Sequence, residues 1–194
     1  MDAVLGVPVG MPRAGSGESL PQVDSTRRQR FFGVRSPARG PQNSRIFAVV
    51  QEGCSAPAFY VEAMFPARAT VRDSLGRELL CAKFTSGLGF RRCMIMLPNG
   101  QLTCQATNGL CGGTTVTMGG PGSTKYKLKG STKYWEYMLQ GLDSGGLFVV
   151  DGGGAVDVSP GTDPIQAVLL AIICKEIAMT ELGCMFFLPH TGLF

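Results

Sequence analysis

Four lysines lie in the segment GGPGSTKYKLKGSTKYW, residues 119–135. The Gly-Ser-Thr-Lys order suggests a phosphate loop, but that loop needs G-x-x-x-x-G-K-[ST] followed by a helix, and here a strand pattern follows. In a strand, Lys125, Lys127 and Lys129 share one face, and Lys133 comes just after the next turn. Together, four ammonium groups beside a glycine loop can bind an anionic lipid headgroup. The alternative is a solvated strand face whose lysines discourage edge pairing.

The sequence contains no catalytic or metal-binding constellation. The single histidine, His190, is near the end of the chain, and neither a G-x-S-x-G motif nor paired carboxylates occur. The seven cysteines form no CxxC pair and lack zinc-ligand spacing. Because no cationic-then-apolar leader is present, we expect reduced, mostly buried thiols in a cytoplasmic protein. These features predict a protein that is not an enzyme and that uses no cofactor and no metal.

Charge and composition divide the chain into two parts. Residues 1–45 hold seven Arg and three acids, whereas the rest holds eleven basic and eleven acidic side chains. A neutral body argues against a nucleic-acid-binding domain, which would carry a basic face on the fold itself, so no nucleic-acid partner is expected. Residues 1–29 mix Pro, Gly and Ser without a period and predict a disordered leader.

From Ile46 onward, short runs of alternating apolar residues are separated by turn residues, which is typical of strands, and one further run lies upstream. Twelve runs predict strands: FFGVR, RIFAVVQ, AFYVEAM, ATVRD, ELLCAKF, RCMIML, LTCQAT, TTVTM, YKLK, YWEYML, LFVVD and AVDV. The Asn99-Gly100 pair between two of them is the strongest short-range signal for a hairpin. Strands joined so closely must be antiparallel, because a parallel return needs a crossover of roughly a dozen residues or more.

One helix is predicted, at about 164–182. Asp163 can act as its N-cap, Pro164 suits the first helical position, and Gln166 completes an arrangement similar to a capping box. Gly183 provides a stop signal.

The core of this helix, from Ile165 to Cys174, contains one polar side chain, Gln166. Such a helix could lie in a membrane or inside a protein. The apolar run ends at Lys175 and Glu176, which is short for a membrane span and favours burial in a core.

A helix that is apolar on every side must be surrounded. We therefore predict a mainly β (α+β) fold, a closed antiparallel barrel of about twelve strands around one central hydrophobic C-terminal helix. The predicted barrel domain spans residues 30–185, and residues 186–194 form a tail. The predicted central-helix residues are Ile165, Val168, Leu169, Ile172 and Ile173.

Three segments carry a resemblance to a known superfamily. The hairpins FPARATVRDSLGRELLCAKF and RRCMIMLPNGQLTCQAT resemble the paired hairpins of the LURP-one-related proteins. The ending DVSPGTDPIQAVLLAIICKEI resembles their entry into the hydrophobic C-terminal helix. The resemblance covers residues 45–180 and extends to the phospholipid scramblases and the Tubby C-terminal domains, which share the barrel with a central helix.

The resemblance implies a binding or adaptor module at the cytoplasmic face of a membrane. Tubby domains bind phosphatidylinositol phosphates, which implies that the four lysines bind an anionic phospholipid or phosphoinositide. One alternative is a scramblase-like protein whose last helix inserts in the membrane. The six-residue spacing of Asp151, Asp157 and Asp163 departs from a calcium loop, and the clustered cysteines of scramblases are missing. A second alternative is a soluble domain that binds protein partners and has no lipid role.

Overall fold

The computed structural model describes residues 27–39, 44–64, 67–87, 90–109, 113–119, 123–132, 134, 136–141 and 145–185. These residues form twelve strands and one helix. In chain order they are β1 (Gln29–Arg39), β2 (Arg45–Gln51), β3 (Pro57–Met64), β4 (Arg68–Arg72), β5 (Glu78–Gly87), β6 (Phe90–Met96), β7 (Leu102–Gly109), β8 (Gly113–Met118), β9 (Thr124–Ser131), β10 (Glu136–Gly141), β11 (Gly146–Val150), β12 (Val156–Val158) and α1 (Pro164–Met185). Each of the twelve predicted runs overlaps one of these strands.

The strands close into a barrel. Each pairs antiparallel with the next along the chain, and β1 also pairs with β12, from Gln29 opposite Val158 to Phe31 opposite Val156. The β1–β12 pairing covers three residues of β1, and through it the twelve described strands form one ring. The predicted closed antiparallel barrel with one C-terminal helix is confirmed.

The tight turns explain why neighbouring strands pair. At the β6–β7 turn, the Leu97 amide donates to the Gln101 carbonyl at 2.9 Å, and Gly100 adopts a φ of 85° that favours glycine. The Asn99 side-chain oxygen accepts from the Gln101 amide at 2.9 Å. This is the Asn-Gly hairpin that the sequence predicts.

The inward side chains of one wall are small. Ala63 of β3, Ala69 of β4 and Ala82 of β5 lie opposite one another in register, and each is at most 1% exposed. A helix with its side chains is about 10 Å across, so short inward residues leave room for one inside the barrel. The alternating pattern of the strands therefore sets both the outer face and the space for α1.

The helix begins as predicted. Asp163 Oδ1 accepts from the amides of Ile165 at 2.9 Å and Gln166 at 3.4 Å, which is N-cap geometry. The Gln166 side chain is buried, and within the described residues its oxygen accepts no hydrogen bond from the Asp163 amide, so it does not complete a capping box. The helix continues to Met185 instead of ending near Leu182. A glycine costs only about 1 kcal/mol inside a helix, so Gly183 alone does not end one.

The helix lies inside the barrel. Leu169 and Ile173 are fully buried and Val168 is 2% exposed, whereas Ile165 and Ile172 are half-buried and pack against the same core. Further burial on other sides of the helix, at Ala167, Leu170 and Cys174, shows that it is surrounded rather than laid on a surface.

A tyrosine anchors the helix to the wall. Tyr137 of β10 is buried, and its hydroxyl donates to the backbone carbonyl of Ala171 at 2.9 Å. Its ring meets that of Phe148 edge-on, with centroids 6.5 Å apart.

The predicted leader, except its last three residues, and the predicted tail lie outside the described residues, and Gln29 already belongs to β1.

Candidate functional site

The predicted lysines lie on the outside of the barrel. Lys125, Lys127 and Lys129 are exposed on β9, while Tyr126 and Leu128 between them are half-buried and pack against the core. This is the alternation that the sequence predicts. The fourth predicted residue, Lys133, lies outside the described residues.

The neighbours of these lysines across the sheet are uncharged. Lys127 is opposite Thr115 of β8 and Gln140 of β10, and Lys125 is opposite Thr117. Within the described ranges, none of the three lysines forms an ion pair with a carboxylate. Their charges are therefore available to an external anion.

Two further basic residues share this outer surface. Arg92 of β6 lies in the same row as Lys127, through Thr107 and Thr115. Lys83 of β5 lies in the same row as Lys125, through Met94, Gln105 and Thr117, each opposite the next. Both are exposed. We call the five residues Lys83, Arg92, Lys125, Lys127 and Lys129 the basic wall.

The spacing of the basic wall suits a surface of several anions rather than one phosphate. Neighbouring strands are about 4.8 Å apart, which places Arg92 and Lys127 about 14 Å apart across three strand spacings. Alternate residues along a strand are separated by about 7 Å, the spacing of the three β9 lysines. Several separated charges favour an array of headgroups over a single enclosed ligand.

The sequence carries a signal for this wall that a net-charge count misses. No Asp or Glu occurs between Glu78 and Glu136, while seven Lys and Arg do. These residues form most of β5 and all of β6 to β9, five adjacent strands of the barrel. The balancing acids lie elsewhere in the chain, including Glu176 and Glu181 of α1. The neutral sum of the body therefore hides a basic face, and the argument against nucleic acid from net charge alone is weak.

The three acids considered for calcium have structural partners. Asp157 pairs with Arg28 at 3.1 Å, and Asp151 pairs with Arg30. Asp151 Oδ1 also accepts from the Ala155 amide at 2.9 Å, closing the β11–β12 turn. Asp163 caps the helix. Among the residues that the structure describes, no group of three or more potential ligands could hold a metal ion.

The cysteines divide by burial. Cys93, Cys104 and Cys174 are buried, Cys81 is half-buried and Cys54 is exposed, and all five are free thiols. Cys111 and the side chain of Cys184 lie outside the described part of the chain. Three of the five are thus buried, as predicted.

Burial suppresses ionisation of the interior thiols. It raises the pKa of Cys174 to about 12. It raises the pKa of Cys104 to about 11, although hydrogen bonds with Gln166 and Thr103 lower it. Burial also raises the pKa of Cys93. Because the thiolate is the reactive form, these three side chains are suited to packing rather than to nucleophilic chemistry.

Comparisons of the chain with protein-family models, curated proteins and solved structures find no significant match. Within the described ranges, no helix is long and apolar enough to cross a membrane. The superfamily resemblance stays a prediction from the sequence.

Proposed function

We propose that this chain is a non-enzymatic, tubby-like and LURP-one-related module that binds anionic phospholipid at the cytoplasmic face of a membrane. In this role it is an adaptor that associates peripherally with the membrane. A barrel around a buried helix is compatible with the architecture that the sequence resemblance implies. The observation that carries the proposal is the basic wall, which consists of five exposed cations on strands β5 to β9. No Asp or Glu occurs in the chain between Glu78 and Glu136.

The chemistry of the wall favours a lipid surface over nucleic acid. Proteins that bind single strands combine basic grooves with aromatic side chains on which bases stack. Within strands β5 to β9, no described outward side chain is an exposed aromatic residue, because Tyr126 and Phe84 pack against the core, and the exposed Tyr134 lies in the turn after β9. Each Lys or Arg near an anionic leaflet contributes about 1 kcal/mol to binding. Five such residues can produce reversible, salt-sensitive association.

The test is flotation of the purified full chain with liposomes. The vesicles contain phosphatidylcholine alone, or with phosphatidylserine, or with a phosphoinositide, each at low and high salt. We expect flotation only with anionic lipid and its loss at high salt, because ions screen exposed charges. Stronger flotation with the phosphoinositide than with phosphatidylserine at equal charge would indicate a headgroup preference.

A matched pair of variants locates the site. Replacing Lys127 and Lys129 with Gln removes two wall charges, and about 2 kcal/mol, or roughly a thirtyfold loss of affinity, is expected. Replacing Arg28 and Arg77 with Gln removes the same charge from side chains that are each 67% exposed and paired with carboxylates. That control should bind nearly as well as the unchanged protein. Equal losses in both variants would show that net charge, not the wall, determines binding.

Other results would replace the proposal. Flotation with neutral lipid that survives high salt and carbonate would support the scramblase-like alternative, in which the last helix inserts. Binding of single-stranded RNA that outcompetes anionic vesicles would assign the wall to nucleic acid. No flotation with any lipid would refute lipid binding and favour the soluble domain with protein partners.

A further inference from the structure

Strand β1 is longer than the strand that closes the barrel against it. β12 pairs with β1 only from Gln29 to Phe31, whereas β1 continues beside β2 to Arg39. The chain turns just before β12, where the Asp151 amide donates to the Ala155 carbonyl at 3.0 Å. Beyond Phe31, therefore, none of the described strands pairs with β1 on the side opposite β2.

The backbone of this stretch offers hydrogen-bonding groups on the side that faces away from β2. The Arg30 carbonyl accepts from the amide of Glu52, the residue after β2, at 2.8 Å. Because successive residues of a strand direct their amide and carbonyl to alternate sides, those of Gly33 and Arg35 point away from β2. Gly33 is exposed, and no backbone hydrogen bond joins it to a described residue on that side. We call Gly33 to Arg35 the free edge of β1.

An apolar cavity of about 320 Å³ lies beside the free edge, toward the helix. Phe31, Phe47, Val156 and Ile172 are among the residues that line it, and Gly33 borders it as well. A strand added at the free edge would therefore lie over this cavity. Since side chains of a strand alternate between its two faces, every second side chain of the added strand would point to the cavity.

The chain around the free edge is basic. From Phe32 to Arg45 the sequence holds three arginines and no acidic residue. Arg45 is exposed and forms no ion pair within the described residues. Two copies of this chain paired through their free edges would bring Arg35 of one copy close to that of the other, and like charges across a strand pair are destabilising. The charge therefore favours a strand from a different protein, with acidic residues.

We propose that the free edge of β1 binds an extended, acidic peptide segment of a partner protein by strand addition. Gly33 and Arg35 exchange main-chain hydrogen bonds with the peptide, an apolar side chain of the peptide enters the cavity, and its acidic side chains lie near Arg45. In this mode the main chain provides affinity, and pockets for alternate side chains provide specificity. The site goes beyond the proposed function, because it gives the module a surface for a protein partner on β1, apart from the basic wall on β5 to β9.

Selection from a display library of random nonapeptides on the purified full chain tests the proposal. We expect enriched peptides with a net negative charge and apolar residues at alternate positions. The best peptide is then synthesised in two forms, one N-methylated at its odd residues and one at its even residues. Strand addition uses the amides along one edge of the peptide, so one form should bind at least about tenfold more weakly while the other binds like the parent. No enrichment, enrichment of basic peptides, or equal binding of the two forms would overturn the proposal.

Two substitutions at one position assign the peptide to the free edge. Gly33→Pro removes an amide that points away from β2, so it removes no hydrogen bond of the β1–β2 pair. Gly33→Ala keeps this amide, and a Cβ at Gly33 meets no atom within 4 Å. We expect the proline variant to lose peptide affinity at least about tenfold and the alanine variant to stay within about twofold of the unchanged chain. Arg45→Gln should weaken the acidic peptide about threefold. Equal peptide binding by folded Gly33→Pro and Gly33→Ala proteins would refute the site, and if Gly33→Pro does not fold, undiminished binding by Arg45→Gln would do so.

Self-association and lipid binding are measured on the same variants. Sedimentation that shows a dimer of the unchanged chain and a monomer of Gly33→Pro would overturn the proposal in favour of pairing between two copies. Gly33→Pro should float with anionic vesicles like the unchanged chain, and the Lys127 and Lys129 variant should bind the peptide normally. Loss of one kind of binding without the other therefore distinguishes failure of the peptide site from failure of the basic wall.

Discussion

Replacing Leu169 with alanine tests whether the helix supports the barrel from inside. Leu169 is 0% exposed at the centre of α1. The change removes three carbons, and burial of each contributes about 0.8 kcal/mol. The hole that remains adds a further cost, so a total loss of about 3–4 kcal/mol is expected. That is a large part of the 5–15 kcal/mol by which a typical domain is stable.

Ile172→Ala is the matched comparison, because it removes the same number of carbons from the same helix. Ile172 is half-buried and borders an existing cavity, so its replacement enlarges that cavity and creates no new enclosed one. We expect a loss of about 1 kcal/mol, from roughly half of the transfer free energy. Leu169→Asp should abolish folding, since a buried charge without a partner costs several kcal/mol.

Urea unfolding followed by circular dichroism measures both alanine variants, and equal m-values show that the same surface unfolds. Losses that are equal, or a Leu169→Ala loss below about 1 kcal/mol, would contradict a helix packed inside the barrel. Such a result would also revive the alternative in which this helix inserts in a membrane, because a helix outside the barrel contributes little to barrel stability.

Two further predictions concern groups inside the barrel. Tyr137→Phe should lower the unfolding free energy by about 1 kcal/mol in the same urea assay, because it removes the hydroxyl that donates to Ala171; no change would mean that this bond is absent in solution. Burial raises the pKa of Cys104 from 9.0 to about 11 and that of Cys174 from 9.0 to about 12. Both thiols therefore favour the folded state below about pH 9, where they are protonated in the folded and the unfolded chain. This contribution to stability decreases as the pH rises from 9 through 11 and 12. A thiol reagent at neutral pH should therefore label exposed Cys54 quickly and these two only after unfolding, and rapid labelling of a Cys54→Ser variant at either position would contradict their burial.

The strands could be predicted because their signals are local. The alternation of LTCQAT and TTVTM gives each run one inward and one outward face, and turns such as Asn99-Gly100 join neighbours directly. Closure between β1 and β12 joins residues far apart in the chain, so no local pattern specifies it. It followed from the helix instead, because an apolar helix needs a complete surround.

The candidate sites were less predictable. The β9 lysines are outward, as the two-residue period requires. Lys83 and Arg92, the other two members of the basic wall, were missed because charges were summed over the whole body. In that sum, the positive charges of the wall are cancelled by acidic residues elsewhere in the chain. A cavity of about 320 Å³ is lined by Gly33 of β1 and Lys175 of α1, two residues far apart in the chain, so no local pattern predicts it. A glycine in a strand gives no indication of whether it faces a helix, a ligand or solvent.

Filling the barrel with its own helix determines where binding chemistry can take place. In a barrel of this size without a helix, the centre would be the natural ligand site. Here Leu169, Leu170 and Ile173 occupy that centre and are fully buried. Ligand contacts are then expected away from that centre, on the outer faces of the strands or where the helix leaves a gap beside β1 and β2. Exposed cations that form no ion pair within the described residues occur at both places, for example Lys125 and its neighbours outside and Arg45 at the gap. Since the basic wall combines positive charge with a flat outer surface, we expect it to bind an extended anionic surface rather than a single enclosed anion.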